Sequence, residues 1–365
     1  MIGILYSEAV KEYSFGAGHP FRGERYELFY RFLKQNIPED NNYRIITAEP
    51  ADDNDLSLIC STDYIKFTTE YYRAAHDGMD VSAGFTKYQS MDNHPVGRPG
   101  KIEEAARLVV GQAKRASDLV TAGAFNKAVS IGGGMHHAKR AFGEGFCIYN
   151  DVAFCALYLI EQHGLERVLV LDTDAHAGNG TSEYFYEDPR VLLIDLHQDP
   201  KNIYPGTGFA NQIGAGEGTG YTINVPLPEG ADERCYELVF DSIVQPVVQE
   251  FRPQMIIRNG GSDPHFYDGL TQLGLSIKGF RMIGERVREL ANICNGKEID
   301  LLASGYNRNV LPRAWLALLT GLADIEIEIQ GTDTTSYVSD LVYANTENVL
   351  ADVKDNLKSY WKCLR

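Results

Sequence analysis

At 365 residues, 44% hydrophobic and 23% charged, the chain has an ordinary globular composition, with room for one large α/β domain or two smaller ones. No apolar run approaches the ~18 residues of a membrane span, and a net charge of −16 argues against a nucleic-acid surface, which needs a basic patch. That acidity is compatible with a cationic substrate, and six scattered cysteines without a C-x-x-C pair point to thiols in a reducing compartment, the cytoplasm.

The opening MIGILYSEAV lacks the basic leader of a secretory signal and reads as a first core strand over 2–6. The spacing predicts helices over 22–35, 62–75, 101–121, 150–163, 232–250, 277–294, 312–323 and 346–361. In the third, Ile102, Ala105, Ala106, Val109, Val110 and Ala113 make one apolar stripe at helical period. Further apolar runs at 43–47, 127–131, 168–172, 191–196, 221–225, 254–258 and 300–304 bring the expected strands to eight. Such alternation fits one mostly parallel sheet with helices on both faces. No repeat, low-complexity tract or linker interrupts it, so a single domain over 1–365 is expected. Two irregular stretches, 77–100 and the glycine-rich 198–220, are expected to wall a pocket at the strands' carboxyl ends.

The chemistry gathers on four segments. In RVLVLDTDAHAGNG (167–180), a strand apolar on both faces ends in Asp172, with Asp174 and His176 projecting the same way if the extended geometry continues. A bland alternative makes Asp172 a helix cap and His176 a loop residue. Carboxyl ends of open α/β sheets are, however, where ligands bind. IGGGMHHA (131–138) follows another strand and sets His136 and His137 after three glycines. A phosphate cradle is the competing reading, but no P-loop lysine follows. RNGGSDPHFYDGL (258–270) adds Asp263, and ASGYNRNVLPRAW (303–315) adds Tyr306. Asp174, His176 and Asp263 then make a three-ligand set with open coordination, the form of a catalytic metal site. With a histidine to move protons and a phenol for the oxyanion, the parts specify metal-assisted hydrolysis of a carbonyl compound.

At these residues the sequence resembles the histone deacetylase superfamily, which includes acetoin-utilisation proteins and acetylpolyamine amidohydrolases. Further matching stretches are GHPFRGERYELFYRFL, GGGMHHAKRAFGEGFCIYNDVA, DLHQDPKNIYPGTG and YTINVPLP. The resemblance implies the arginase/deacetylase α/β fold and a divalent ion, usually zinc, with iron the alternative. It implies that Asp174, His176 and Asp263 hold this metal, that His137 is the general base and acid, and that His136 is its electrostatic neighbour. Asp172 and Asn179 match the partners of these two histidines, and Tyr306 the carbonyl-polarising tyrosine. Phe146, Tyr204 and Leu270 match contacts of the acyl-lysine tunnel, to which Gly145 and the loop acid Asp92 are added. Arg25 matches an arginine beside the cavity that receives acetate. Potassium is implied at two places, one using Asp172, Asp174, His176, Asp195 and Leu196, the other Phe185, Asp188, Val191 and Tyr221.

The chain departs from the family pattern where Ala177 replaces a second histidine, where Asn179 replaces aspartate, where ASGY replaces GGGY, and where Pro264 and His265 follow the third ligand. An amide at 179 orients His137 but stabilises its imidazolium less than a carboxylate. The expected activity is metal-dependent removal of an acyl group, acetyl foremost, from an acyl-lysine or similar amine. The alternatives are a deacetylase of acetylpolyamines or other small molecules, for which Asp77, Asp80 or Asp92 would read a second ammonium, and an idle acyl-binding module. Neither nucleic acid nor membrane is expected as a partner, and these motifs leave the oligomeric state open.

Overall fold

The computed structural model describes residues 1–79, 83–329 and 339–365; Asp80 lies outside them. Eight strands form one sheet: β1 Ile2–Leu5, β2 Tyr43–Ile46, β3 Lys127–Ile131, β4 Val168–Asp172, β5 Val191–Gln198, β6 Thr222–Leu227, β7 Met255–Gly260 and β8 Glu298–Leu302. Their order is β2-β1-β3-β8-β7-β4-β5-β6 and every pairing is parallel. All residues of β4, β5, β7 and β8 are buried, because helices cover both faces of a parallel sheet. That is why these strands read as continuous apolar runs.

β8 is the exception to that rule. It starts at Glu298, two residues before the run expected at 300–304, since two acids disguise its first half. Burying Asp300 requires a partner, and Arg258 of the adjacent β7 supplies it, donating from Nε at 2.8 Å. Among the helices, Ile277–Ala291 crosses Leu311–Ala323 so closely that a Cβ on Gly284 would meet the Leu318 carbonyl oxygen at 2.1 Å. The helix expected over 232–250 is interrupted: Glu233–Val239 passes through a π-helical turn, Phe240–Val244, into Gln245–Phe251. Pro246, without an N–H, falls where the α ladder would need one. The last helix, Asp340–Leu357, begins earlier than the expected 346, capped by Ser339 Oγ, which accepts from Leu341 N at 3.3 Å. The irregular stretch 77–100 holds a short helix, Phe85–Tyr88.

Strand register decides where the loops meet. Asp172 at the end of β4 lies level with Asn259 on β7 and Asp195 on β5, and Leu302 of β8 with Gly260 and Ile131. The carboxyl ends of β3, β8, β7, β4 and β5 therefore form one continuous edge, where β3, β4, β7 and β8 release the four chemistry-bearing segments and β5 the loop that carries Tyr204.

Candidate active site

β4 ends at Asp172, and the segment after it is held by its own carboxylates instead of extended pairing. Asp172 Oδ1 accepts from Asp174 N at 3.0 Å, and Asp174 Oδ1 accepts from His176 N at 2.9 Å. Aspartates commonly bond their backbone two residues on, and here two such turns bring Asp174 and His176 round to Asp263. His176 Nδ1 lies 3.1 Å from both Asp174 Oδ1 and Asp263 Oδ2, and one ligand atom from each residue falls within 4.8 Å of the others. A divalent ion at about 2.0–2.2 Å from each, in tetrahedral geometry, needs ligand atoms about 3.3 Å apart, so the donor set fits. Its second carboxylate is also positioned, since Asp263 Oδ1 accepts from Ser304 Oγ at 2.8 Å.

The electrostatics suit a cation-binding site. Burial opposes charge on His176, yet Asp174 and Asp263 hold its imidazolium pKa up to about 10. Burial beside Asp174 pushes the Asp263 carboxyl up to about 7. His176 and Asp263 thus hold protons that a divalent ion would displace.

Next to this cluster stand the histidines. His136 Nδ1 lies 2.8 Å from Asp172 Oδ2; burial opposes its charge, but Asp172 and then Asp174 raise its pKa to about 9. Its Nε2 lies 3.1 Å from His137 Nε2. His137 Nδ1 lies 2.7 Å from Asn179 Oδ1. Burial, with positive His136 and His176 beside it, holds the His137 pKa well below the usual histidine value. His137 is accordingly held in its neutral form. Tyr306 completes the group: its ring stands edge-on to Phe146, 6.1 Å between centroids, and under the Arg25 guanidinium at 5.1 Å. Burial and then, against the pull of Arg25, the charges of Asp263 and Asp174 keep its hydroxyl well above the ordinary tyrosine pKa, so it remains a hydrogen-bond donor.

Around this centre the expected substrate contacts sort themselves. Tyr204 lies edge-on to His137, 4.9 Å between centroids, and is 39% exposed, while Leu270 is 40% exposed. Asp92 is half-buried: its Oδ2 accepts from Gly145 N at 2.8 Å, and its Oδ1 accepts from Ser90 Oγ. Asp77 lines a cleft with Lys101 and Glu104. The hydrogen bonds of Arg25 go to the carbonyls of Arg22, Ala303 and Pro20. Ala177, in place of a histidine, lines a cavity of about 130 Å³ beside Asn179 and Asp195.

The two expected potassium sets differ. In the first, the carboxylates of Asp172 and Asp195 flank Gly178, where a Cβ would meet their Oδ2 atoms at 2.8 and 3.5 Å; Leu196 follows Asp195 on β5. In the second, Asp188 N donates to the Phe185 carbonyl and Leu193 N to that of Tyr221. The Asp188 carboxylate pairs with Arg190 at 2.7 Å, one residue before Val191.

Two residues that the motifs do not mark belong to the site. Asn259 Nδ2 donates to Asp172 Oδ2 at 2.8 Å; its only signal is a position just before the glycines of the third segment. Glu144 Oε1 accepts from Asn179 Nδ2 at 2.9 Å. Gly145 also has a role of its own. With φ 60° it sits where a Cβ would come 2.3 Å from His137 Cδ2. Gly145→Ala is expected to displace the imidazole and lower kcat about 100-fold, at a backbone cost of only about 1–2 kcal/mol. Measuring kcat beside thermal unfolding checks this; a well-folded variant with near wild-type turnover would refute the packing role.

Comparison with known proteins places this arrangement. Residues 19–322 match the family model described as the histone deacetylase domain. The chain is 32% identical over its whole length to a probable deacetylase of Archaeoglobus fulgidus, covering 99% of that protein. It is 34% identical to the acetoin utilization protein AcuC of Bacillus subtilis, with 90% of this chain and 82% of the relative aligned. The solved HDA15 HD domain superposes with a TM-score of 0.82 at 23% identity, over 100% of this chain and 96% of that one, which shows the shared fold.

Proposed function

The chain belongs to the histone deacetylase family and is a deacetylase, and from that premise we propose that it is a metal-dependent amidohydrolase acting on acyl-lysine side chains. The observation that carries this reading is the meeting, at one sheet edge, of the Asp174–His176–Asp263 cluster, the His136–His137 pair and Tyr306.

When bound, a divalent ion, zinc or else iron, supplies Lewis acidity toward the carbonyl and toward water. His137 Nε2 takes a proton from the attacking water and returns it to the leaving amine. His136, paired with Asp172 and steadied by Asn259, keeps positive charge beside that exchange. Tyr306 donates its hydroxyl hydrogen to the developing oxyanion. Phe146, Tyr204 and Leu270 line the path of the substrate methylenes, and Arg25 stands where the released acetate would leave. Potassium at the Asp172–Asp195 set and at the 185–191 turn belongs to the same proposal, supported in the first case by two buried carboxylates in adjacent register. Five buried cysteines and one exposed, all unpaired, accord with a cytoplasmic setting.

An acyl-lysine is preferred to a polyamine because reading a second ammonium needs a free acid near the mouth. Among the described residues, Asp92 accepts from Gly145 and Ser90, and Asp77 lines a cleft with Lys101. The test is turnover by zinc- and iron-loaded protein of acetyl-lysine peptides against acetylated polyamines. A higher kcat/KM on the peptides is expected. Preference for the polyamines would overturn the substrate class, and no turnover of either would overturn the amidohydrolase reading.

A further inference from the structure

We propose that Glu144 is a positioning residue of this site: its carboxylate turns the Asn179 amide so that Oδ1 faces His137, which fixes the proton of His137 on Nδ1 and leaves Nε2 free as the base. The inference rests on the deacetylase reading above but is argued from a chain of hydrogen bonds that has one consistent direction.

The chain starts at Lys139, whose Nζ lies 3.0 Å from Glu144 Oε1, and the same oxygen is 2.9 Å from Asn179 Nδ2. A carboxylate only accepts, so the amide must offer its N–H₂ to Glu144 and its carbonyl oxygen to His137. Asn179 Oδ1, 2.7 Å from His137 Nδ1, then requires a hydrogen on Nδ1. His137 Nε2 is left with a lone pair, 3.1 Å from His136 Nε2. At the far end Asp172 Oδ2 lies 2.8 Å from His136 Nδ1. Two carboxylates thus bracket the chain.

With the amide reversed, oxygen would face oxygen at Glu144. His137 would then carry its proton on Nε2 and could not take one from water. Between the two carboxylates, Glu144 alone penalises that reversal. Where an aspartate at 179 would set the tautomer by itself, an asparagine needs a second acceptor behind it. Glu144 also stands beside the Tyr204 hydroxyl, which ties this acceptor to the tunnel wall.

The experiment compares zinc-loaded wild type, Glu144→Ala and Glu144→Gln. Selective ¹⁵N labelling of histidine reports the His137 tautomer by NMR, and kcat and KM are measured on an acetyl-lysine peptide. Wild type is expected to show one tautomer, with Nδ1 protonated. Glu144→Ala is expected to show a mixture and to lose about 10- to 100-fold in kcat with KM nearly constant. Glu144→Gln keeps an acceptor that Lys139 holds inward, and is expected to restore the single tautomer and most of kcat. A single Nδ1–H tautomer in Glu144→Ala overturns the proposal, as does Glu144→Gln behaving like Glu144→Ala. Glu144→Ser replaces the alanine variant if that one does not fold. Because the tautomer is read without turnover, a wild type inactive on every acylated amine would sink the functional reading while leaving this one still decided by NMR.

Discussion

Asp174→Ala is expected to abolish tight binding of the divalent ion and, with it, amide hydrolysis. Asp174 Oδ1 both bonds the His176 imidazole at 3.1 Å and accepts from the His176 backbone at 2.9 Å. The substitution therefore removes one ligand and loosens a second. Loss of a mere outer partner typically weakens a metal site about 10- to 100-fold, and removing a ligand together with its neighbour's support should exceed that. After reconstitution and dialysis, elemental analysis should find one ion per wild-type chain and almost none in the variant. A folded variant that keeps one tightly held ion would falsify the ligand assignment.

Metal uptake by the wild type carries its own signature. The His176 imidazolium, held up to about 10, and the Asp263 carboxyl, held up to about 7, must both be deprotonated to act as ligands. A folded pKa above the solution pH means a proton bound in the free site and released on loading. Loading near neutral pH is thus expected to release at least about one proton, and apparent affinity should rise with pH until both groups have titrated. Calorimetry in buffers of different ionisation enthalpy measures the release. Heats independent of the buffer would show that these groups are not the ones displaced.

Tyr306→Phe is expected to lower kcat on the order of 100- to 1000-fold, equivalent to about 2.7–4 kcal/mol of transition-state stabilisation, with KM changed little. Only a hydroxyl is lost. The ring contact with Phe146, the Arg25 guanidinium above it and the bond from Tyr306 N to Asp268 Oδ2 at 2.8 Å all remain possible, so the variant should fold and bind substrate. Because the oxyanion forms only during reaction, its donor acts on kcat and not on binding. A variant with near wild-type turnover of acetyl-lysine would remove Tyr306 from the oxyanion role. A loss that fell on KM alone would assign it to substrate binding.

Much of the architecture follows from the chain alone, because a strand buried on both faces must be apolar throughout, and that is a property of neighbouring residues. All eight strands stand where an apolar run marks them, within a few residues. β8 is the instructive displacement. Its Glu298 and Asp300 read as a strand's polar margin, and only Arg258, 42 residues away on the next strand, makes burial of Asp300 tolerable. Asp174, His176, Asp263, His136, His137 and Tyr306 are expected as one site because each follows a strand closely, and the structure brings ligand atoms of the first three within 4.8 Å of one another.

What the chain alone did not determine is which way each polar group points. Asp92 stood out only as a loop acid, yet its carboxylate accepts from Gly145 and Ser90. Asn179 looked like a weakened partner for His137, yet Glu144 stands behind it. Asn259 carried no mark of its own, yet it holds the carboxylate that pairs with His136. Periodicity is written in adjacent residues, whereas hydrogen-bond direction is set by donors and acceptors that strand register brings together from distant segments. The sequence determined the inventory of chemical groups at the sheet edge, and the packing of the loops upon one another decided their hydrogen-bond partners.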